Sequence, residues 1–186
     1  MAVTALRPMA PFGRDARYTH PLDYRLMADS PVTLFWRHSI LDETTDWLLA
    51  HDYQVVRLAA SDWLVETDMH QAFAAALDFP EYYAGVLAAL NDCLSDVAFC
   101  DYGARPEATG LVLVMTGYDT FAERFPLVAE AVLDIIASNA TTALLVGHRI
   151  LCLVQSDNPR IAFGPLGAEY ARWNDAEWLE DRRDLG

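Results

Sequence analysis

Residues 79–94, FPEYYAGVLAALNDCL, join the end of one predicted helix to most of a second. Pro80 ends a helix predicted over 66–77, because proline disfavours helical backbone in the residue before it. A second helix is predicted from about Gly85 to Phe99. On a helical wheel at about 100° per residue, one apolar arc collects Val86, Leu87, Leu90, Cys93, Leu94 and Val97. This helix therefore has one face for a core and one face for solvent.

The polar face of this helix is acidic. Asp92 and Asp96 lie one turn apart, opposite the apolar arc, and are expected to point to solvent. No Lys or Arg occurs between Arg57 and Arg105, while that stretch contains Asp62, Glu66, Asp68, Asp78, Glu81, Asp92, Asp96 and Asp101. Two interpretations stay open: an ordinary solvated surface, or a site for a cationic partner.

Two strands are predicted before this region and two after it. Residues 31–37 and 53–58 are rich in β-branched and aromatic side chains, and 149–155 form an apolar run. The run Gly110–Met115 is nearly continuous, as expected for a strand covered on both faces, and we place it at the centre of the sheet.

Two further helices complete the pattern. One has Ser39 as its expected N-cap and runs to about His51, with Ile40, Trp47 and Leu48 inward. The other covers 125–136 and is expected to continue as far as 147. Strands alternating with helices indicate an α/β fold with a small parallel sheet.

The domain organisation follows from composition along the chain. Residues 1–30 form an N-terminal arm, 31–158 the α/β domain, and 159–186 a C-terminal extension. The extension carries Trp173 and Trp178, which we expect to fold back onto the sheet.

Length and charge narrow the function. The chain has 186 residues, 53% of them apolar, which suits one folded unit. Its formal net charge of −14 argues against binding a nucleic acid backbone and favours a basic protein partner. Three cysteines and an N-terminus without a signal-peptide pattern predict a cytoplasmic protein, and no apolar run predicts a membrane span.

Motifs for catalysis, metals and cofactors are missing from the sequence. The five histidines do not fall at metal-ligand spacing with each other or with cysteine. Cys93 and Cys152 are expected to be buried inert thiols, and Cys100 has no predicted role. An enzyme that used Asp92 and Asp96 would lack an adjacent base, so we predict no catalytic residue, no metal and no cofactor.

The 79–94 stretch resembles the barstar family, the intracellular inhibitors of secreted microbial ribonucleases. Their pattern is close to FP-x-YYG-x-N-LDAL-x-DCL, and the resemblance extends over about Tyr53 to Gln155. The matching positions are Pro80, Tyr82, Tyr83, Leu87, Ala89, Leu90, Asp92, Cys93 and Leu94. The resemblance implies a three-stranded parallel sheet with helices packed on it.

The resemblance also implies a partner-binding face. Tyr82 and Asp92 match residues that face the ribonuclease in such inhibitors, and the acid enters a phosphate pocket. Neighbours on the same face complete the predicted site, which is Tyr82, Leu87, Asn91, Asp92, Ser95 and Asp96. We expect this face to bind a basic protein, with a ribonuclease as the first candidate.

Several positions depart from the family pattern. Ala84 replaces a glycine, Val86 an asparagine and Ala88 the first acid of a pair, while Asn91 stands where an aromatic is common. An acid from the last helix would fall near Ser138. The alternative is therefore a non-inhibitory interaction module of the same fold with a changed surface.

Overall fold

The computed structural model describes residues 20–167 and 169–183 as an α/β fold. Its strands are Val32–Phe35 (β1), Tyr53–Ala59 (β2), Gly110–Thr116 (β3), Ile150–Gln155 (β4) and Arg172–Trp173 (β5). Its helices are Leu22–Met27 (α1), His38–Ala50 (α2), Glu66–Ala76 (α3), Leu87–Ala98 (α4), Tyr118–Arg124 (α5) and Pro126–Leu145 (α6). Of the predicted N-terminal arm, residues 1–19 lie outside the described residues, and the remainder contains α1.

The sheet is parallel throughout, in the order β2-β3-β4-β1-β5. The expectation of three strands is therefore wrong, because β1 and β5 extend the sheet beyond β4. The prediction of a strand over 31–37 is confirmed by β1. β5 has only two residues, too few to show any alternation in the sequence. With five strands, β4 takes the middle and β3 lies one place from it.

Two layers of helices cover the sheet. On one face, α3, α4, α5 and α6 pack against alternate side chains of the strands, including Leu111, Leu113 and Cys152. On the other face, α1 and α2 cover the intervening side chains, including Val112 and Leu153. Strands β3 and β4 are thus buried on two sides, as their apolar runs predicted.

The start of α2 differs from expectation. The helix begins at His38, so Arg37 takes the N-cap position that was predicted for Ser39. A residue distant in the sequence accounts for this earlier start. The Glu177 carboxylate accepts the N–H groups of Trp36 and Arg37 at 2.9 and 3.0 Å. Leu48 is fully buried as predicted, whereas Ile40 and Trp47 are only half-buried.

Helix α6 has the length and apolar composition that could cross a membrane. The sequence-based expectation that no segment is apolar enough for a membrane span therefore does not hold for α6 when length and composition alone are considered. Eight of its side chains are buried within the protein, and the helix packs against α4, α5 and β4. This is the environment of a core helix.

The C-terminal extension lies against the end of β1. Glu177 is fully buried and also accepts from Arg37 Nε at 3.1 Å. The Arg183 guanidinium lies 4.3 Å from the centre of the Trp173 ring and donates to the carbonyl of Pro159. Trp173 packs on the core, but Trp178 is 66% exposed, so the expected packing holds for one tryptophan only.

Candidate partner-binding site

The loop before α4 holds two tyrosines in different environments. The Tyr83 N–H donates to the Pro80 carbonyl at 2.9 Å and closes a turn. The Tyr83 ring packs edge-on to Phe79 with centroids 4.9 Å apart, and is half-buried. Tyr82 is 76% exposed. The turn therefore directs one ring into the protein and presents the other to solvent.

Gly85 gives this loop its left-handed residue. Its φ is +65°, while Ala84 is not among the left-handed residues. A glycine one position later than in the family pattern thus takes the conformation that a side chain would disfavour. Ala84 therefore imposes no left-handed strain on the entry to α4.

The buried face of α4 is close to the predicted arc. Its fully buried residues are Leu90, Cys93, Leu94, Val97 and Ala98. Leu87 is half-buried against the core. Val86 is 50% exposed and precedes the helix in extended backbone, so its predicted place in the apolar arc is wrong. A helical wheel assumes helical backbone, and Val86 is outside it.

The two carboxylates of α4 are not equivalent. The Asp92 side chain is exposed, and its carboxylate has no hydrogen bond or ion pair within residues 20–167 and 169–183. Asp96 is half-buried and accepts a hydrogen bond from the Tyr102 hydroxyl at 3.0 Å. Burial raises the pKa of Tyr102, so its hydroxyl stays protonated and able to donate. The prediction that both acids point freely to solvent is correct for Asp92 and wrong for Asp96.

Asn91, another predicted residue of the face, also has a partner within the protein. The Asn91 side-chain oxygen accepts from Asn139 Nδ2 at 3.1 Å, which links α4 to α6. Asn139 also donates to the Ile135 carbonyl at 2.9 Å. Asn91 keeps exposed surface, while Ser95 is half-buried. The acidic face is therefore centred on Asp92, with Tyr82 at its N-terminal side.

Helix α6 supplies no acid beside this face. Ser138, where the resemblance places one, is exposed and uncharged. The nearest acids on that helix are used elsewhere, because Glu130 and Asp134 accept the backbone N–H groups of Gly164 and Gly167. These carboxylates fasten the C-terminal extension to α6.

The acids of the 57–105 stretch divide by role. The exposed ones are Asp62, Asp78, Glu81, Asp92 and Asp101. Glu66 faces His70, and Asp68 accepts the N–H groups of Leu64 and Val65 at the start of α3. The acidic region thus combines a solvated surface with local structural contacts.

The cysteines offer no reactive centre. Cys93 and Cys152 are buried, and burial raises the pKa of the Cys152 thiol. Cys100 Sγ lies 3.4 Å from His148 Nδ1, but burial and two nearby acids raise its pKa, which disfavours the thiolate. Across residues 20–167 and 169–183, no three His, Cys, Asp or Glu side chains are grouped as metal ligands.

Two residues that shape this site were not found from the sequence. Tyr102 follows α4 in an irregular loop, and Asn139 sits on the inner face of an apolar helix. No periodic pattern in the sequence indicates that Tyr102 contacts Asp96 or that Asn139 contacts Asn91. A polar side chain at a core-facing position of α6 was the one available hint, since buried amides need partners.

A family model described as Barstar (barnase inhibitor) matches residues 53–155. No curated protein matches the chain. One similar solved structure is titled "Structure of Drosophila ORC bound to AT-rich DNA and Cdc6", with 20% identity and a TM-score of 0.43. That likeness covers 68% of this chain and 39% of that chain, and has no bearing on function.

The family match spans β2 to β4 and includes the exposed loop and α4. It contains the stretch 79–94 that carries the sequence resemblance, and leaves β1, β5 and the C-terminal extension outside the shared region. The matched region covers more than half of the sequence, and on this basis the chain belongs to the barstar family.

Proposed function

We propose that this protein is a cytoplasmic inhibitor of a basic ribonuclease, and that it places the acidic face of α4 in the enzyme's active site. Family members are inhibitors that bind a partner protein, not catalysts. The finer assignment to a ribonuclease is supported by one observation above others: Asp92 is an exposed carboxylate with no internal partner in the described ranges.

A free carboxylate suits this role chemically. Its oxygens accept charge-assisted hydrogen bonds from the Arg, Lys and His groups that hold a phosphate in a ribonuclease. Tyr82, in the loop before α4, adds an exposed aromatic ring, and such rings are common anchors at protein interfaces. The pair offers one charged and one aromatic contact to the same partner.

The long-range field favours the same partner. The net charge of −14 attracts a basic protein over about a Debye length, roughly 8 Å at physiological ionic strength. The barnase–barstar pair is itself the reference case for such steering. Association with a ribonuclease should therefore slow steeply as salt is raised.

A second candidate function rests on the altered positions of the face. Val86 is 50% exposed, and Ala88 is exposed where the family pattern has an acid. Asp96 is engaged by Tyr102, so Asp92 is the one unengaged carboxylate of α4. A less charged face favours a non-inhibitory interaction module that binds a different protein.

Barnase provides the direct test. We would titrate the full chain against barnase, follow RNA cleavage, and repeat with Asp92→Ala and the control Asp46→Ala. Asp46 is an exposed acid on α2, remote in sequence from the face. Inhibition by the wild type should weaken about 30-fold in Asp92→Ala if that residue is a main anchor, and should be unchanged in the control.

Stability must be measured alongside inhibition. Asp92→Ala should change the free energy of unfolding by no more than about 0.5 kcal/mol, as expected for a surface substitution. Equal inhibition by wild type and Asp92→Ala would remove the assigned site. No inhibition of barnase or other basic secreted ribonucleases by the wild type would favour the interaction module.

A further inference from the structure

Strand β2 is an open edge of the sheet. It pairs with β3 on one side, and within residues 20–167 and 169–183 no strand pairs with the other side. The opposite edge is extended by the chain's own β1 and β5. β2 has seven residues, so it presents a longer edge than the two-residue β5.

The backbone groups along this edge alternate in direction. The Leu111 N–H donates to the Arg149 carbonyl at 2.8 Å and so faces β4. Gln54 lies opposite Leu111 in the β2–β3 pair and therefore makes the hydrogen bonds of that pair, so its backbone groups face β3. Because successive residues of a strand point their backbone groups to opposite sides, those of Val55, Arg57 and Ala59 face away from the sheet. Such unpaired donors and acceptors are the template onto which another strand adds.

A groove runs beside this edge. It has a volume of about 540 Å³ and lies between β2 and α3. Helix α3 lines it with Asp68, Gln71 and the three short side chains Ala72, Ala75 and Ala76, and Leu58 contributes from the strand. Short side chains leave room for the side chains of an added strand.

The charge of the groove selects the occupant. Asp62 and Asp68 line it, and among the described residues its one basic lining residue is Arg57, which lies 3.8 Å from Asp42 on α2. A basic side chain on the added strand would meet these acids. A second copy of this chain would instead bring two chains of −14 charge together. We propose that the β2 edge and the β2–α3 groove bind an extended basic segment of a partner protein as an additional strand.

This surface is separate from the α4 face, so the proposal does not depend on ribonuclease inhibition. The probe is a capped peptide, acetyl-TVRVTVRVT-amide, titrated into the full chain by calorimetry, with amide hydrogen exchange followed by NMR. Bound peptide should slow exchange at Val55, Arg57 and Ala59. Methylation of alternate peptide nitrogens should weaken binding by about tenfold or more, since it keeps the charge and removes the donors.

Variants of the protein test each part of the site. Ala59→Pro removes one outward N–H, and the φ of −85° at this residue is close to that of proline. Ala75→Leu fills the groove while keeping a strong helix former. Each should weaken peptide binding by about tenfold. Asp62→Asn should weaken it less, and the matched acid variant Asp46→Asn should leave it unchanged.

Three results would overturn the proposal. No binding of the peptide would exclude this class of occupant. Equal binding of the methylated peptide, or exchange protection confined to other residues, would mean that the acidic chain attracts the peptide by charge alone. Self-association in sedimentation that Ala59→Pro abolishes would assign the edge to a second copy of the chain.

Discussion

The Tyr83 hydroxyl lies 2.5 Å from Nδ1 of His70. This contact joins helix α3 to the loop that carries the exposed Tyr82. The His70 side chain is 2% exposed, and its Nε2 lies 3.5 Å from a carboxylate oxygen of Glu66 without a hydrogen bond of good geometry. This arrangement fits a neutral imidazole that keeps its proton on Nε2 and accepts from Tyr83. The buried His70 on α3 thus holds in place the loop from which Tyr82 projects.

We expect His70 to make stability fall with acidity. Burial lowers its pKa below the ordinary 6.5, an effect larger than the opposing pull of Glu66. As pH drops through about 6.5, the unfolded chain takes up a proton that the folded chain refuses, so the folded state loses stability until its own lower pKa is reached. His70→Gln should lose less stability than wild type between pH 7.5 and 5.

Urea unfolding at the two pH values measures this difference. His38→Gln is the matched control, because His38 is an exposed histidine on α2. The control should keep the wild-type pH dependence. An unchanged dependence in His70→Gln as well would mean that His70 titrates normally in the folded protein.

The structure also predicts that the C-terminal extension stabilises the domain through one carboxylate. Glu177 accepts from the backbone of Trp36 and Arg37, from the Arg37 side chain and from Asn174. Glu177→Gln replaces one acceptor oxygen by an NH2 group, whose hydrogens would face the N–H donors that this oxygen now accepts from. We expect a loss of about 2 kcal/mol in the free energy of unfolding, typical of buried hydrogen bonds to a charged group.

Chemical denaturation of the full chain tests this, with Glu180→Gln as the control. Glu180 is an exposed acid in the same segment. A loss within about 0.5 kcal/mol for Glu177→Gln, the level of a surface change, would show that the extension contributes little to stability.

The sequence predicts the parts of the fold that depend on spacing alone. Leu90, Cys93, Leu94 and Val97 are buried as the wheel requires, because helical periodicity determines which positions share a face. The error at Asp96 comes from Tyr102, which reaches it from a loop without any period. Contacts made by irregular segments leave no pattern to read.

The short strand β5 and the burial of Glu177 could not be predicted from the sequence either, because neither follows a periodic pattern. β5 is too short for alternation, and its pairing depends on the buried Asn174 and Glu177 that follow it. Charged residues are expected at the surface, so nothing in the sequence marks Glu177 as fully buried. Its role becomes visible only when β1 and the C-terminal extension are side by side.

The N-terminus of α4 predicts a stabilising substitution. Val86 occupies the N-cap position with extended backbone, and no side chain caps the helix. Asparagine there can accept an N–H of the first turn, which is worth about 1 kcal/mol over a residue that cannot. Val86→Asn should therefore raise the free energy of unfolding, whereas Val86→Ala should not. Equal stability of the two variants, measured by urea denaturation, would argue against an uncapped helix.

The same position leads to a gain of inhibition. Val86→Asn with Ala88→Asp restores the amide and the first acid of the family pattern, and both positions are exposed in the structure. Gly85 already takes the left-handed conformation, so the new side chains enter on an unstrained turn. Asp at position 88 would lie in the first turn of α4, where the helix dipole favours an acid, and one turn before Asp92. Paired carboxylates suit a phosphate pocket lined by Arg and His.

We expect the double variant to inhibit barnase more strongly than the wild type by about tenfold or more. The measurement is a titration of RNA cleavage with wild type, each single variant and the double variant. Val86→Asn alone separates helix capping from binding, because a merely stabilised helix should raise the unfolding free energy without improving inhibition. Strong inhibition already in the wild type would mean that the two departures do not limit binding. No gain in a folded double variant would mean that the face around Tyr82 and Asp92 is adapted to another protein.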